Sequence, residues 1–183
     1  SGPAIATSLK IAKYEPWFAP GEDVPRGIFA DVIQGGDTIR VFNVHLQSVG
    51  LIGDDYEAVR EGPDAEQSKR LFSRLSSAYV ARATQARAVR EEVDSSPHPV
   101  ILLGDFNDTP VSFTLSTLKG SSSTELFDAF SKGGEGLGAT YVGDVSGLRI
   151  DYILYADEFE LHSFNTYPVE LSDHRPISAV LSY

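Results

Sequence analysis

Six polar side chains end or interrupt apolar, strand-like runs in this 183-residue sequence. His45 closes Ile39-Arg40-Val41-Phe42-Asn43-Val44. Asp105 and Asn107 follow Val100-Ile101-Leu102-Leu103-Gly104. Asp151 stands inside Arg149-Ile150-Asp151-Tyr152-Ile153-Leu154, and Asp173 and His174 precede the last apolar run. Rigid scaffolds present functional groups on loops at strand ends. A carboxylate inside an apolar strand, as at Asp151, is costly without a partner. Taken singly, each residue has a plain reading. His45 reads equally as a satisfied core histidine, Gly104 to Asn107 as a capped turn, and Asp173 as a turn before Pro176. Taken together, an oxygen-rich set with two imidazoles suits Mg²⁺ or Mn²⁺ better than structural zinc. Other chemistries lack their signatures. The sequence has no Gly-x-Ser-x-Gly elbow and no Walker loop, and neither His45 nor His174 has a second histidine at metal-binding spacing. Gly133, Gly134, Gly136 and Gly138 precede a strand signal, whereas a dinucleotide-binding loop follows a strand and opens a helix.

The elements that must position these groups are legible in outline. Residues 27–34 and 38–46 are β-rich and flank Gly35-Gly36-Asp37, which predicts a hairpin. Leu71, Leu75, Ala78, Arg82, Ala86, Val89 and Val93 share one stripe of a helix predicted over about 65–94, with a break near Ser76-Ser77. Arg82 lies inside that apolar stripe, flanked by Gln85, and must find a partner when the helix docks. Pro97 and Pro99 stop the helix. Residues 100–103 read as a strand buried on both faces, and 111–119 as a short helix. Residues 120–138 are loop-rich, and 149–155, 159–165 and 176–182 are strand-like. This order predicts one mixed α/β domain over residues 1–183.

Composition bounds the function. The chain can bury roughly 70% of its unfolded surface. Its 10 Phe and 8 Tyr exclude a disordered chain. No run approaches a membrane span and no signal peptide is evident. Without cysteine there are no disulfides or thiolate metal sites, and the compartment stays open. A net charge of −11 repels polyanions and argues against non-specific nucleic-acid binding. The bases between Lys69 and Arg90 spread all round a helical wheel, which suits a solvated helix with pairs such as Glu66 to Arg70. The acid-rich stretch 49–68 follows His45 directly. It reads as a surface insertion, or by position as a flank of the substrate that excludes duplex DNA. Methionine is absent even at position 1, and the expectation is a chain that does not begin where translation began.

Four segments in order, Asn43-Val44-His45-Leu46-Gln47-Ser48, Gly104-Asp105-Phe106-Asn107, Arg149-Ile150-Asp151-Tyr152-Ile153-Leu154 and Ser172-Asp173-His174-Arg175-Pro176-Ile177, resemble the motifs of the endonuclease/exonuclease/phosphatase family. That superfamily includes DNase I-like nucleases, neutral sphingomyelinases and inositol polyphosphate 5-phosphatases. The overall look resembles uncharacterised bacterial members, some of which carry membrane segments before this domain. The resemblance implies a four-layer α/β/β/α sandwich and hydrolysis of a phosphate ester by activated water with Mg²⁺ or Mn²⁺. It implies that Asp105 orients or deprotonates the water and Asn107 holds a phosphoryl oxygen. By the same token His174 and His45 contact the phosphate, Asp151 sets the tautomer of His174, and Asp173 sits at the metal. Arg82, Thr140 and Tyr141 are the expected substrate contacts, and the protein is expected to be a monomer.

The match has gaps. Family members begin with a strand carrying Asn and then a Gln-Glu motif whose Glu is the chief metal ligand. Here only Glu15 and Glu22 occur before Ala30, in a Pro-rich stretch that reads as loop. The expectation is a domain without its N-terminal strands, covering the C-terminal two-thirds of the family fold and impaired in metal binding. The alternative is a non-catalytic interaction domain on the same scaffold. The motifs differ from those of inositol 5-phosphatases, and the Trp usual in exonuclease III-like enzymes is replaced around Ser146-Gly147-Leu148. The substrate therefore stays open among nucleic acid, lipid head group and small phosphoester.

Overall fold

A computed structural model describes residues 2–50, 55, 62, 64–121, 124–143, 147–169 and 171–183. Most of the acidic 49–68 stretch lies outside the described residues.

Six strands form the main sheet: β1 (Lys10–Phe18), β2 (Pro25–Gln34), β3 (Asp37–His45), β4 (Val100–Asp105), β5 (Leu126–Asp128) and β6 (Asp151–Ala156), in the order β1-β2-β3-β4-β6-β5. Only β3 and β4 run parallel; the other neighbours are antiparallel. The β2–β3 turn carries Gly35 and Gly36 at φ 63° and 105°, the left-handed pair that a tight hairpin favours. A second sheet pairs β7 (Glu160–Thr166) with β8 (Ile177–Ser182). Among the described residues, three helices pack with these sheets: α1 (Ala65–Asp94), α2 (Phe113–Lys119) and α3 (Ala129–Gly133). This is the mixed α/β class expected from the sequence.

Helix α1 starts at a capping box. The Asp64 carboxylate accepts the Gln67 backbone N–H at 2.7 Å, and the Gln67 side chain accepts the Asp64 N–H at 3.0 Å. The helix runs through Ser76 and Ser77 without the expected break. Serines cost little helix propensity, and without an internal Gly or Pro nothing interrupts the i to i−4 ladder. Of the predicted stripe, Leu75 is exposed, whereas Ala86, Val89 and Val93 join Phe42, Val44, Leu102 and Leu154 in the core. The helix carries an i, i+4 ion pair between Arg90 and Asp94 (2.5 Å).

Two segments depart from expectation. The Pro-rich stretch before Ala30 contains strand β1 rather than only loop. It is an edge strand with a single buried side chain, Trp17, so no alternating apolar pattern announces it. An edge also tolerates Pro16, which cannot donate to a ladder. Within the loop-rich 120–138, Leu126–Asp128 forms β5 and Ala129–Gly133 forms α3. These are too short for periodicity. They are fixed from outside, by pairing of Leu126 with Ala156 and by burial of Asp128 against Arg149 (2.9 Å).

Candidate active site

The register of the main sheet assembles the site. His45 pairs with Asp105, and Asp105 pairs with Asp151, so three adjacent strands present these residues in one row. Side chains in a row share a face. The site therefore stands at the end of the sheet where β3 and β4 leave and β6 enters. Gly104 makes the row possible. Its φ is 137°, and a Cβ there would lie 1.9 Å from the Val44 carbonyl oxygen, so only glycine lets β4 close against β3.

His174 comes from the loop between β7 and β8. Its Nδ1 lies 2.8 Å from Asp151 Oδ2, and its Nε2 lies 4.0 Å from Asp105 Oδ2. On the other side, His45 Nε2 is 3.6 Å from the same Asp105 oxygen. Asp105 thus sits between two imidazoles. Asn107 completes the cluster: its backbone N–H donates to Asp105 Oδ1 (2.8 Å), and its amide donates to Asp105 Oδ2 (3.0 Å) and the Leu46 carbonyl (3.1 Å). Among the described residues, Asn107 is the non-glycine residue with positive φ, at 51°. Asparagine tolerates this conformation better than most residues.

Electrostatics follow from the packing. Burial, then the neighbouring Asp151 charge, push the Asp105 carboxyl above its ordinary value, against the Asn107 N–H and the two histidines. The hydrogen bond to Asp151 raises His174 despite partial burial, and the charges of Asp151, Asp105 and Asp173 add to it. Ligand atoms of Asp105, Asp151 and His174 all lie within 4.8 Å of one another. The two crowded carboxylates fit a hard divalent cation, because its charge relieves the repulsion that raises Asp105. His45 and Asp105 open onto a cleft of about 310 Å³ lined also by Gly2, Pro3, Asn43 and Val44. A depression of about 540 Å³ around Phe127, Tyr155 and His162 contains none of these groups.

The structure therefore brings together His45, Asp105, Asn107, Asp151 and His174. Asp173 is exposed and is not in the group of converging ligand atoms. Tyr141 packs edge-on against the His174 ring, with centroids 5.2 Å apart, and so borders the site. Arg82 and Thr140, expected as substrate contacts, are each only 1% exposed and lie in the interior. Thr140 Oγ1 accepts the backbone N–H groups of Ile150 (3.1 Å) and Asp151 (3.2 Å), which anchors the start of β6. Arg82 is engaged in the interior by Asp108 and the Gln47 carbonyl. Sequence reasoning overlooked Asp108 and Tyr152, which tie down the loop that follows β4. The unmatched cation in the α1 stripe was the signal that such a partner exists.

Comparisons with solved structures agree with this fold. An endonuclease/exonuclease/phosphatase from Bacteroides vulgatus superposes with a TM-score of 0.68 at 18% identity, over 95% of this chain and 66% of that one. A mannosyl-6-phosphatase of Bacteroides thetaiotaomicron gives 0.64 at 20% identity, over 96% and 67%. A 3′-5′ exonuclease of Neisseria meningitidis gives 0.61 at 21% identity, over 96% and 73%. The chain thus spans about two thirds of the length of such structures. No curated protein sequence matches it. The model of the endonuclease/exonuclease/phosphatase family matches residues 1–174, which take in the first three motif segments and the fourth as far as His174, and the chain belongs to that family.

Proposed function

We propose that this domain hydrolyses a phosphate ester by an activated water with the help of a divalent cation, Mg²⁺ or Mn²⁺. The observation that carries the reading is the single row His45–Asp105–Asp151, closed by His174. Asp105 and Asp151 would offer carboxylate oxygens to the ion, with His174 beside them. A bound ion polarises the phosphoryl oxygen and neutralises its developing charge. Asp105, with its raised affinity for protons, receives the proton of the attacking water. Asn107 orients that carboxylate and yields one amide hydrogen to a phosphoryl oxygen when substrate enters. His45 and His174 donate to the phosphate. Asp151 keeps the proton on Nδ1 of His174, so that Nε2 faces the reacting centre only as a donor of the imidazolium form.

The phosphatase and exonuclease named above act on quite different esters, so the fold does not choose the substrate. The charge of −11 favours a small phosphoester over duplex DNA. Arg26, which lines a neighbouring depression with His45, is paired with Glu22 (2.5 Å) and Gln47 (2.8 Å). Two carboxylates are few ligands for a hard divalent cation, so the ion would bind weakly.

The test is hydrolysis of bis-p-nitrophenyl phosphate and p-nitrophenyl phosphate with Mn²⁺ or Mg²⁺. Asp105→Asn and His174→Gln are each expected to lower kcat by roughly a hundredfold or more. Undiminished turnover in either variant overturns the assignment. Calorimetry with Mg²⁺ is expected to show no micromolar binding, and a micromolar Kd would contradict the donor set described.

A further inference from the structure

We propose that Arg82 is a positioning residue that sets the spacing between the His45 strand end and the Asp105–Asn107 loop. The proposal extends the phosphoesterase reading to a residue buried behind the site.

The guanidinium of Arg82 has two partners on two different chain exits. Its Nε donates to Asp108 Oδ2 at 3.1 Å, on the loop that follows β4. Its Nη1 donates to the Gln47 carbonyl at 2.8 Å, on the segment that follows β3. These attachment points lie one residue after Asn107 and two after His45. The Arg82 side chain is 2% exposed and the Asp108 side chain 5%, so water does not loosen the fork. Tyr79 covers its outer side, with the guanidinium carbon 4.6 Å from the ring centre.

Asp108 is held from every side. Thr114 Oγ1 donates to Oδ2 at 2.7 Å, the Thr109 N–H donates to Oδ1 at 3.0 Å, and the Tyr152 hydroxyl donates to the Asp108 carbonyl at 2.8 Å. On the other flank of Asn107, Phe106 is fully buried and stacks on Tyr152, with ring centres 5.0 Å apart. Asn107 is thus clamped between two buried anchors, which sustains its left-handed backbone and aims its amide at Asp105. Gln47 is fixed in parallel. Its N–H donates to Gln85 Oε1 at 2.8 Å, one helical turn beyond Arg82, and Gln85 Nε2 donates to Glu22 at 2.8 Å.

A buried Arg–Asp pair alone argues only for structure, and the protein contains a comparison. Arg40 and Asp31 form a bidentate pair (2.7 and 2.9 Å) of similar burial. That pair joins neighbouring strands five residues before the His45 row and touches no loop of the site. Arg82 differs in joining the two exits that carry the reacting groups. Lysine cannot reproduce this, because its ammonium is a point donor without the two-pronged plane.

The experiment compares Arg82→Lys with Arg40→Lys in the full chain. The side-chain amide of Asn107 is followed by ¹⁵N NMR, the Trp17 indole N–H reports the fold, and turnover of bis-p-nitrophenyl phosphate with Mn²⁺ is measured. Arg82→Lys is expected to shift the Asn107 amide and lower kcat about 10- to 100-fold with KM within about twofold, leaving the Trp17 signal in place. Arg40→Lys is expected to lower Tm while leaving the Asn107 amide unmoved. The proposal is overturned if Arg82→Lys behaves like Arg40→Lys. If Arg82→Lys does not fold, Thr114→Val, which removes one hydrogen bond to Asp108, decides: an unmoved Asn107 amide rejects the proposal. Absence of turnover in the wild type would reject the phosphoesterase reading, while the amide comparison still decides the role of Arg82.

Discussion

Asp151 is the residue on which the chemistry of His174 depends. The hydrogen bond between them raises His174, so removing the charge has a defined sign. In Asp151→Asn the His174 pKa, read from imidazole resonances, is expected to fall, and kcat to fall with it. A second carboxylate has a purely structural role. Arg40 holds the Asp31 carboxyl below its usual value. Stability from such a group is complete above the unfolded value of about 3.9 and is lost as pH falls through the lowered folded value. Removing Asp31 leaves Arg40 buried and unpaired, which costs on the order of 3–5 kcal/mol at neutral pH. The Tm gap between wild type and Asp31→Asn is therefore expected to be wide at pH 7 and to narrow by pH 3. Five members of the reactive cluster were legible because a polar residue at the end of an apolar strand stands out locally. The jobs of Arg82 and Thr140 were not, since each depends on partners brought together by packing, as Arg82 and Asp108 are across 26 positions.

At the scale of elements, the long helix and the hairpin follow from patterns of many residues, and both are found within a few residues of expectation. Strands β1 and β5 escaped for opposite reasons. The first buries too little to leave a pattern, and the second is too short to have one. Gly104 was legible as part of a motif, but its necessity comes from the Val44 carbonyl opposite. Gly104→Ala is expected to destabilise the chain by several kcal/mol, on the order of 3 or more, because neither the backbone conformation nor the space allows a methyl group. Denaturant melts would show it as a drop in midpoint. Helix α1 makes a milder prediction. Asp64→Ala removes half of a capping box and is expected to cost about 1 kcal/mol, while Asp64→Ser is nearly neutral.

At the scale of the whole molecule, charge and topology matter most. An acidic domain with a deep-set pair of carboxylates gains nothing from polyanions, and no retention on heparin at low ionic strength is expected. The four residues that define the site, His45, Asp105, Asp151 and His174, come from strand ends and loops far apart in sequence. Their assembly therefore reports completion of the fold rather than any local event.

The placement of His174 has a further consequence, in heat tolerance. His45, Asp105 and Asp151 stand on a six-stranded sheet backed by α1, whereas His174 hangs from a two-stranded sheet whose residues are mostly half-exposed. Such a pair of strands opens at lower free energy than the sheet it leans on. On warming this chain, the proposed turnover is expected to fall before the helix signal is lost, and to return on cooling. In this chain, the first loss on warming is then set by the hold of β7 and β8 on the body rather than by the melting of the core.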